Sequence, residues 1–201
     1  MKKLNYLWLL GILFVVGCSS NIGGLKYTKF GLVPGQHNIS VVTFEGNSYF
    51  IRETEDYKVA LSLMGYQNAF VLPLSISNKT GDIVGPEDYS LSVYDGRDLK
   101  PLKLFERRDI LGLNAQKGSG SNIETQVVNS IMSTINTPFD EKSRIIAYIA
   151  DNYFQFRPLY PREQRQGILL YLIYFREEDP ITVSVKIKGH EFDFMFLPVK
   201  D

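Results

Sequence analysis

Cysteine is nearly absent. The 201 residues contain one, Cys18, so no intrachain disulfide can form and stability must come from burial. Histidine is almost as scarce: His37 and His190 stand in neither H-E-x-x-H nor any other close metal-ligand spacing, and neither a metal nor a cofactor is expected. Glu191 and Asp193 follow His190, but strand alternation sends both carboxylates to the face opposite His190, Phe192 and Phe194, so this is a hairpin end. An excess of charge is also missing. Twenty-two basic residues balance twenty-two acidic ones, and nothing in that field argues for nucleic acid.

Catalytic signatures are lacking as well. No G-x-S-x-G elbow occurs, and "KGSGSN" does not complete the phosphate-loop pattern G-x-x-x-x-G-K-[ST]. The acidic runs "RETEDY" and "FREEDP" fall at strand ends, where they read as solvated turns. The sequence is therefore not expected to be an enzyme.

What is present begins at the amino terminus. Met1-Lys2-Lys3 leads into "LNYLWLLGILFVV", an apolar run shorter than the ~20 residues that span a bilayer, which marks an export signal. Its last residues, Val15-Val16-Gly17-Cys18, resemble the bacterial lipobox. That resemblance implies cleavage after residue 17, a diacylglyceryl group on the Cys18 sulfur, and acyl chains such as palmitate holding the protein to the cell envelope. Two or more chains are needed because each buried methylene contributes only about 0.8 kcal/mol and a single chain holds marginally. The competing reading makes Cys18 an incidental small hydrophobe in an uncleaved signal anchor. Residue 19 is Ser, not the Asp that tends to retain such lipoproteins at the inner membrane, which points to the outer membrane in a cell that has both.

Residues 18–38 mix Gly, Ser, Asn and Pro without a sustained period and read as a flexible tether. Alternation starts at Ile39. "YKVALSLM" sets Tyr57, Val59, Leu61 and Leu63 on one face, and "FVLPLSIS" does the same with Phe70, Leu72, Leu74 and Ile76. Pro73 has no N–H to donate, so its strand is expected at an edge or bulged. "YSLSVYDGRD" repeats the half-buried pattern. At the end of the chain "ITVSVKI" and "HEFDFMF" flank Lys188-Gly189, a hairpin pairing Val185 with Phe192, Val183 with Phe194, Ile181 with Phe196 and Lys186 with Glu191.

The period lengthens between 112 and 165. Ser121 and Glu124 have capping-box spacing ahead of Ile123, Val127, Ile131 and Ile135, and Pro138 opens a second run containing Ile145, Ile146, Ile149, Ala150 and Tyr153. A helical hairpin over about 121–153 is expected to interrupt the strands and to pack on the outer face of "ILLYLIYF", which is apolar on both sides.

The stretches "LSISNKTGDIVGPEDYSLSVYDG" and "GILLYLIYF" followed by "VSVKIKGHEFDFMF" resemble the small immunoglobulin-like sandwich domains of secreted bacterial proteins and lipoproteins. The resemblance implies a mainly β, antiparallel immunoglobulin-like sandwich over 39–201 carrying the helical insertion. It implies nothing about activity.

One segment stands out chemically. "DNYFQFRPLYPREQRQ" interleaves Tyr153, Phe154, Phe156 and Tyr160 with Arg157, Arg162 and Arg165, residue types enriched where proteins bind one another. The plainer alternative has the aromatics capping the insertion's core and the arginines solvated. The functional expectation is a membrane-tethered, non-catalytic envelope lipoprotein that scaffolds or binds another envelope component; the alternative is a small-ligand or glycan receptor using residues 153–165. Oligomeric state is not legible.

Overall fold

The computed structural model describes residues 28–44, 47–66, 69–96, 100–110, 147–172 and 179–199. Cys18 and most of the expected helical hairpin lie outside them. The strands are β1 (Thr28–Leu32), β2 (Ser40–Phe44), β3 (Asn47–Glu53), β4 (Tyr57–Leu61), β5 (Met64–Tyr66), β6 (Ala69–Asn78), β7 (Tyr89–Asp95), β8 (Lys103–Leu104), β9 (Gln164–Leu172), β10 (Ile181–Ile187) and β11 (His190–Pro198). All ladders between them are antiparallel, so the described fold is mainly β, as expected.

The longest strand, β6, organises one arm of the sheet. Along one edge it pairs with β9 from Ala69↔Leu172 to Ser77↔Gln164; along the other it pairs first with β5 and then with β4. Beyond β4 lie β3 and β2, and β8 adds to the far side of β9. The second arm runs β1, β11, β10, β7. β1 joins the two, pairing Thr28 and Lys29 with β5 and Phe30 to Leu32 with β11.

The arms face each other across a common apolar core. Leu61, Leu72 and Ile76 come from the first and Val183, Val185 and Phe194 from the second. Aromatic edges close the seam, with Phe30 against Phe70 at 5.3 Å and Phe50 against Phe196 at 5.0 Å between ring centroids. Offset and edge-on rings are the favoured geometries for such pairs. The Arg52 guanidinium lies 5.8 Å above the Phe194 ring at the margin of this core.

Where alternation and turn chemistry agree, the structure follows the sequence. The β10–β11 register pairs Val185 with Phe192, Val183 with Phe194 and Ile181 with Phe196, and Lys186 meets Glu191 at 2.9 Å. Lys188 and Gly189 both have positive φ, 42° and 84°, which gives the hairpin a primed turn whose twist matches its strands. The faces expected for Tyr57 to Leu63 and Phe70 to Ile76 point into the core.

Three expectations change. Residues 28–38 are not tether: β1 begins at Thr28, and Gln36 donates to the Met195 carbonyl at 2.6 Å while accepting from its N–H at 2.8 Å. Pro73 sits neither at an edge nor at a bulge. The register of β6 runs unbroken through Pro73↔Ile168 on one side, and on the other Ser62 N–H still donates to the Pro73 carbonyl at 3.1 Å. The missing proline N–H costs one ladder bond and separates β4 from β5 without shifting the register. Finally, β6 is buried on both faces, not half-buried, since Ala69, Val71 and Ser75 on its outer side are also buried.

β9 is likewise buried on both faces at Ile168 to Tyr171. Its second edge is capped by chain returning from the insertion, because Ile168 N–H donates to the Asn152 carbonyl at 2.7 Å and Phe154 N–H to the Ile168 carbonyl at 3.0 Å. The described remnant of the expected second helix, 147–151, therefore delivers residues 152–154 to the strand's edge. Gly167 makes this approach feasible: a Cβ there would stand 2.5 Å from Phe154 Cα. Gly167→Ala should destabilise the fold by about 1–3 kcal/mol in urea denaturation, the usual cost of overpacking a tight site.

Candidate interaction surface

The aromatic and arginine segment does not form one exposed face. Phe154 is buried in the main core, with Phe156 packed edge-on against it at 5.2 Å and lying 5.7 Å from Tyr89. Tyr153 is half-buried and donates to the Phe105 carbonyl at 3.0 Å. These aromatics do cap a core, though the core is that of the sheet. Arg157, Tyr160 and Arg162 are exposed.

Arg165 departs from both alternatives of the sequence reading, for its side chain is only 6% exposed. It stands on β9 opposite Ile76, facing the core, at the end of the ladder where chain 157–163 crosses. Nη1 donates to the Tyr89 hydroxyl at 3.2 Å and to the Arg157 carbonyl; Nη2 donates to the Pro158 carbonyl at 2.7 Å and to Glu163 Oε1 at 2.6 Å. The Tyr89 hydroxyl also donates to the Arg157 carbonyl, at 2.5 Å. A buried guanidinium is tolerated because its planar fork finds several acceptors at once, including a carboxylate.

Asn78, the last residue of β6, braces the same loop from the other side. It is 1% exposed, and its amide group donates to the carbonyls of Asp82 at 2.7 Å, Leu159 at 3.3 Å and Tyr160 at 3.2 Å. Its side-chain oxygen accepts from the Thr80 N–H at 3.0 Å, the local turn bonding that Asn favours after a strand. An isolated antiparallel bridge completes the bracing: Val84 and Leu159 exchange backbone bonds of 3.0 and 2.9 Å and bury both side chains.

The loop closes with a tight turn. Glu163 N–H donates to the Tyr160 carbonyl at 3.0 Å, and the Glu163 carboxylate accepts from the Tyr160 N–H at 2.8 Å. Pro161 supplies the first central position and Arg162 the second, at φ 58°. Positive φ at that position is the geometry of a type II turn, for which glycine is the ordinary choice. Partial burial pushes the Glu163 carboxyl up, but the Tyr160 N–H, the Arg165 guanidinium and the charge of Arg157 together hold it below an ordinary glutamate's 4.5.

Other candidate chemistry stays dispersed. Among the described residues no group of three or more His, Cys, Asp or Glu side chains could hold a metal ion. His190 lies half-exposed, with Nε2 3.4 Å from Asp56 Oδ2 and its ring edge-on to Tyr57. Glu191 and Asp193 point to solvent on the other face. No protein-family model matches the chain, and no curated protein matches it at significant similarity.

The residues that sequence reasoning missed here are Asn78, Tyr89 and Glu163. Asn78 alone carried a signal, the strand-ending asparagine before a polar turn.

Two outcomes test the brace. Arg165→Met should cost about 3 kcal/mol in urea denaturation, the low end for breaking a buried ion pair, because the Glu163 side chain keeps 25% of its surface in water. The second concerns pH. Since the folded Glu163 titrates below its unfolded value, its contribution is fully present above about pH 4.5 and is lost as pH falls through the lowered folded value. The stability gap between wild type and Glu163→Gln should therefore be widest near neutrality and narrow below pH 4, as read by denaturation at fixed pH values.

Proposed function

We propose that this chain is a lipid-anchored protein of the bacterial cell envelope, non-catalytic, whose domain binds or scaffolds another envelope component. The observation that carries the reading is the run Val15-Val16-Gly17-Cys18 at the end of a short apolar segment, ten positions before β1 begins at Thr28. The span from Cys18 to Thr28 reaches at most about 35 Å fully extended, so a lipidated Cys18 would hold the domain close to the bilayer. Among the described residues no helix is long and apolar enough to cross a membrane, and attachment on this reading rests on the acyl chains.

The two facing arms and the antiparallel ladders support taking the domain as an immunoglobulin-like sandwich, here with β1 passing from one arm to the other. Such a scaffold positions loops at its ends without requiring any chemistry of its own. The packing of Phe154 and Phe156 into the interior leaves a sugar or small apolar ligand little to stack on along that segment, which favours a protein partner.

Cys18→Ala, or globomycin treatment of cells, should move the protein from the membrane fraction to an unacylated form, with mass spectrometry of the wild-type amino terminus showing an acylated cysteine. A wild-type protein that is unacylated and released from membranes would end this proposal.

A further inference from the structure

Two of the five large hydrophobic residues exposed among those described, Met195 at 40% and Val199 at 48%, stand on one face of one run of chain. β11 sends Phe192, Phe194 and Phe196 into the core, so alternation turns Met195, Leu197 and Val199 to the outer side of the second arm. Neighbouring strands keep this stripe flat and uncharged. Leu197 pairs with Gly31, and a Cβ on that glycine would stand 3.2 Å from Val199 Cγ2, so the valine side chain lies over bare backbone. Met195 pairs with Thr182, and Thr182 with Tyr94, a second row without charge.

An apolar surface enters lipid only where the backbone beneath it is satisfied within the protein. That condition is met here. Gln36 donates to the Met195 carbonyl and accepts from the Met195 N–H, and the Val199 N–H donates to the Lys29 carbonyl. Charge begins only at the ends of the stripe: Lys29 lies across from Val199, and Asp193 precedes Met195 by two residues, with the Lys186–Glu191 ion pair beyond it. These ends carry opposite signs, so what the stripe offers an occupant is apolar contact.

Its place on the chain says what covers it. Lys29, whose carbonyl holds Val199, is one residue past Thr28, where β1 begins. Cys18 is ten positions before Thr28, a reach of at most about 35 Å. An acylated Cys18 sits in the bilayer surface, and the stripe begins beside the point where its tether enters the fold. The tether also makes contact with that surface intramolecular, so a small apolar area is enough to hold it.

We infer that Met195, Leu197 and Val199 seat the domain on the bilayer that holds its anchor, with their side chains in the boundary between headgroups and acyl chains. The inference rests on the lipid-anchor reading above and adds an orientation, in which the outer side of the second arm meets the membrane at its tether end.

The test uses the full acylated chain, purified from membranes and reconstituted in phosphatidylcholine vesicles with or without a lipid carrying a nitroxide at a shallow acyl position. On the anchor reading the only native cysteine is acylated, so an environment-sensitive fluorophore attaches to a new one alone: Met195→Cys, Val199→Cys or, for comparison, Ile83→Cys, which is 52% exposed and follows the far end of β6. The nitroxide lipid should quench the labels at 195 and 199 at least about threefold more than the label at 83, and added salt should not reverse this. Val199→Glu should cut the quenching at 195 at least about twofold, while the melting temperature holds and the acylated protein stays with the vesicles.

Equal quenching at the three positions would overturn the inference and leave the anchor standing, as would quenching that salt removes or that Val199→Glu leaves untouched. Labels at 195 and 199 that are shielded from water yet unquenched by the nitroxide lipid would also overturn it, in favour of a second copy or another protein on the stripe. A wild-type Cys18 found unacylated by mass spectrometry would overturn the anchor reading and this inference with it.

Discussion

The ladder between β6 and β9 is the constraint on which the rest depends. Nine residue pairs join these strands, and both are buried on their two faces through the middle of the ladder. A slip of one residue would turn every side chain of either strand to the opposite face and carry Arg165 away from the Tyr89 hydroxyl and the Pro158 carbonyl. The register is therefore rigid, and everything attached to it inherits that rigidity: β4 and β5 on the free edge of β6, and residues 103–105 and 152–154 on the free edge of β9.

Both braces of the exposed loop grow from one end of that ladder. Asn78 terminates β6, and Arg165 lies on β9 opposite Ile76, so the register itself brings an amide and a guanidinium to bear on the same stretch of crossing chain. Burying these groups would be unfavourable in isolation, but backbone carbonyls that the crossing loop cannot satisfy with its own ladder meet them. The loop gains a single geometry. Ile83, Tyr160 and Arg162 are held outward as a consequence of what is satisfied beneath them.

The chain joins the fold through β1, which links the two arms, so force or restraint applied through the amino terminus is spread over β5 and β11. The braced loop lies at the opposite end of β6 from the pairing of Thr28 with Gly65.

Much of the fold is legible in local pattern alone. The faces of β4 and β6 and the whole register of the β10–β11 hairpin follow from period-two alternation and from a turn at Lys188-Gly189, both contained within a dozen or so neighbouring residues. Three features are not legible in this way, and each depends on residues distant in sequence. Pro73 is harmless inside the sheet because Ser62 supplies the remaining bond, β1 becomes a strand because β11 lies ready to pair with it, and Arg165 is buried because Tyr89, Pro158 and Glu163 converge on it. The sequence by itself determined the mainly β, antiparallel character of this protein and the alternation of its faces, since these are properties of neighbouring side chains. Only the tertiary structure decided which polar residues are interior braces and which are surface, because a buried charge is stable only where distant parts of the chain bring it acceptors.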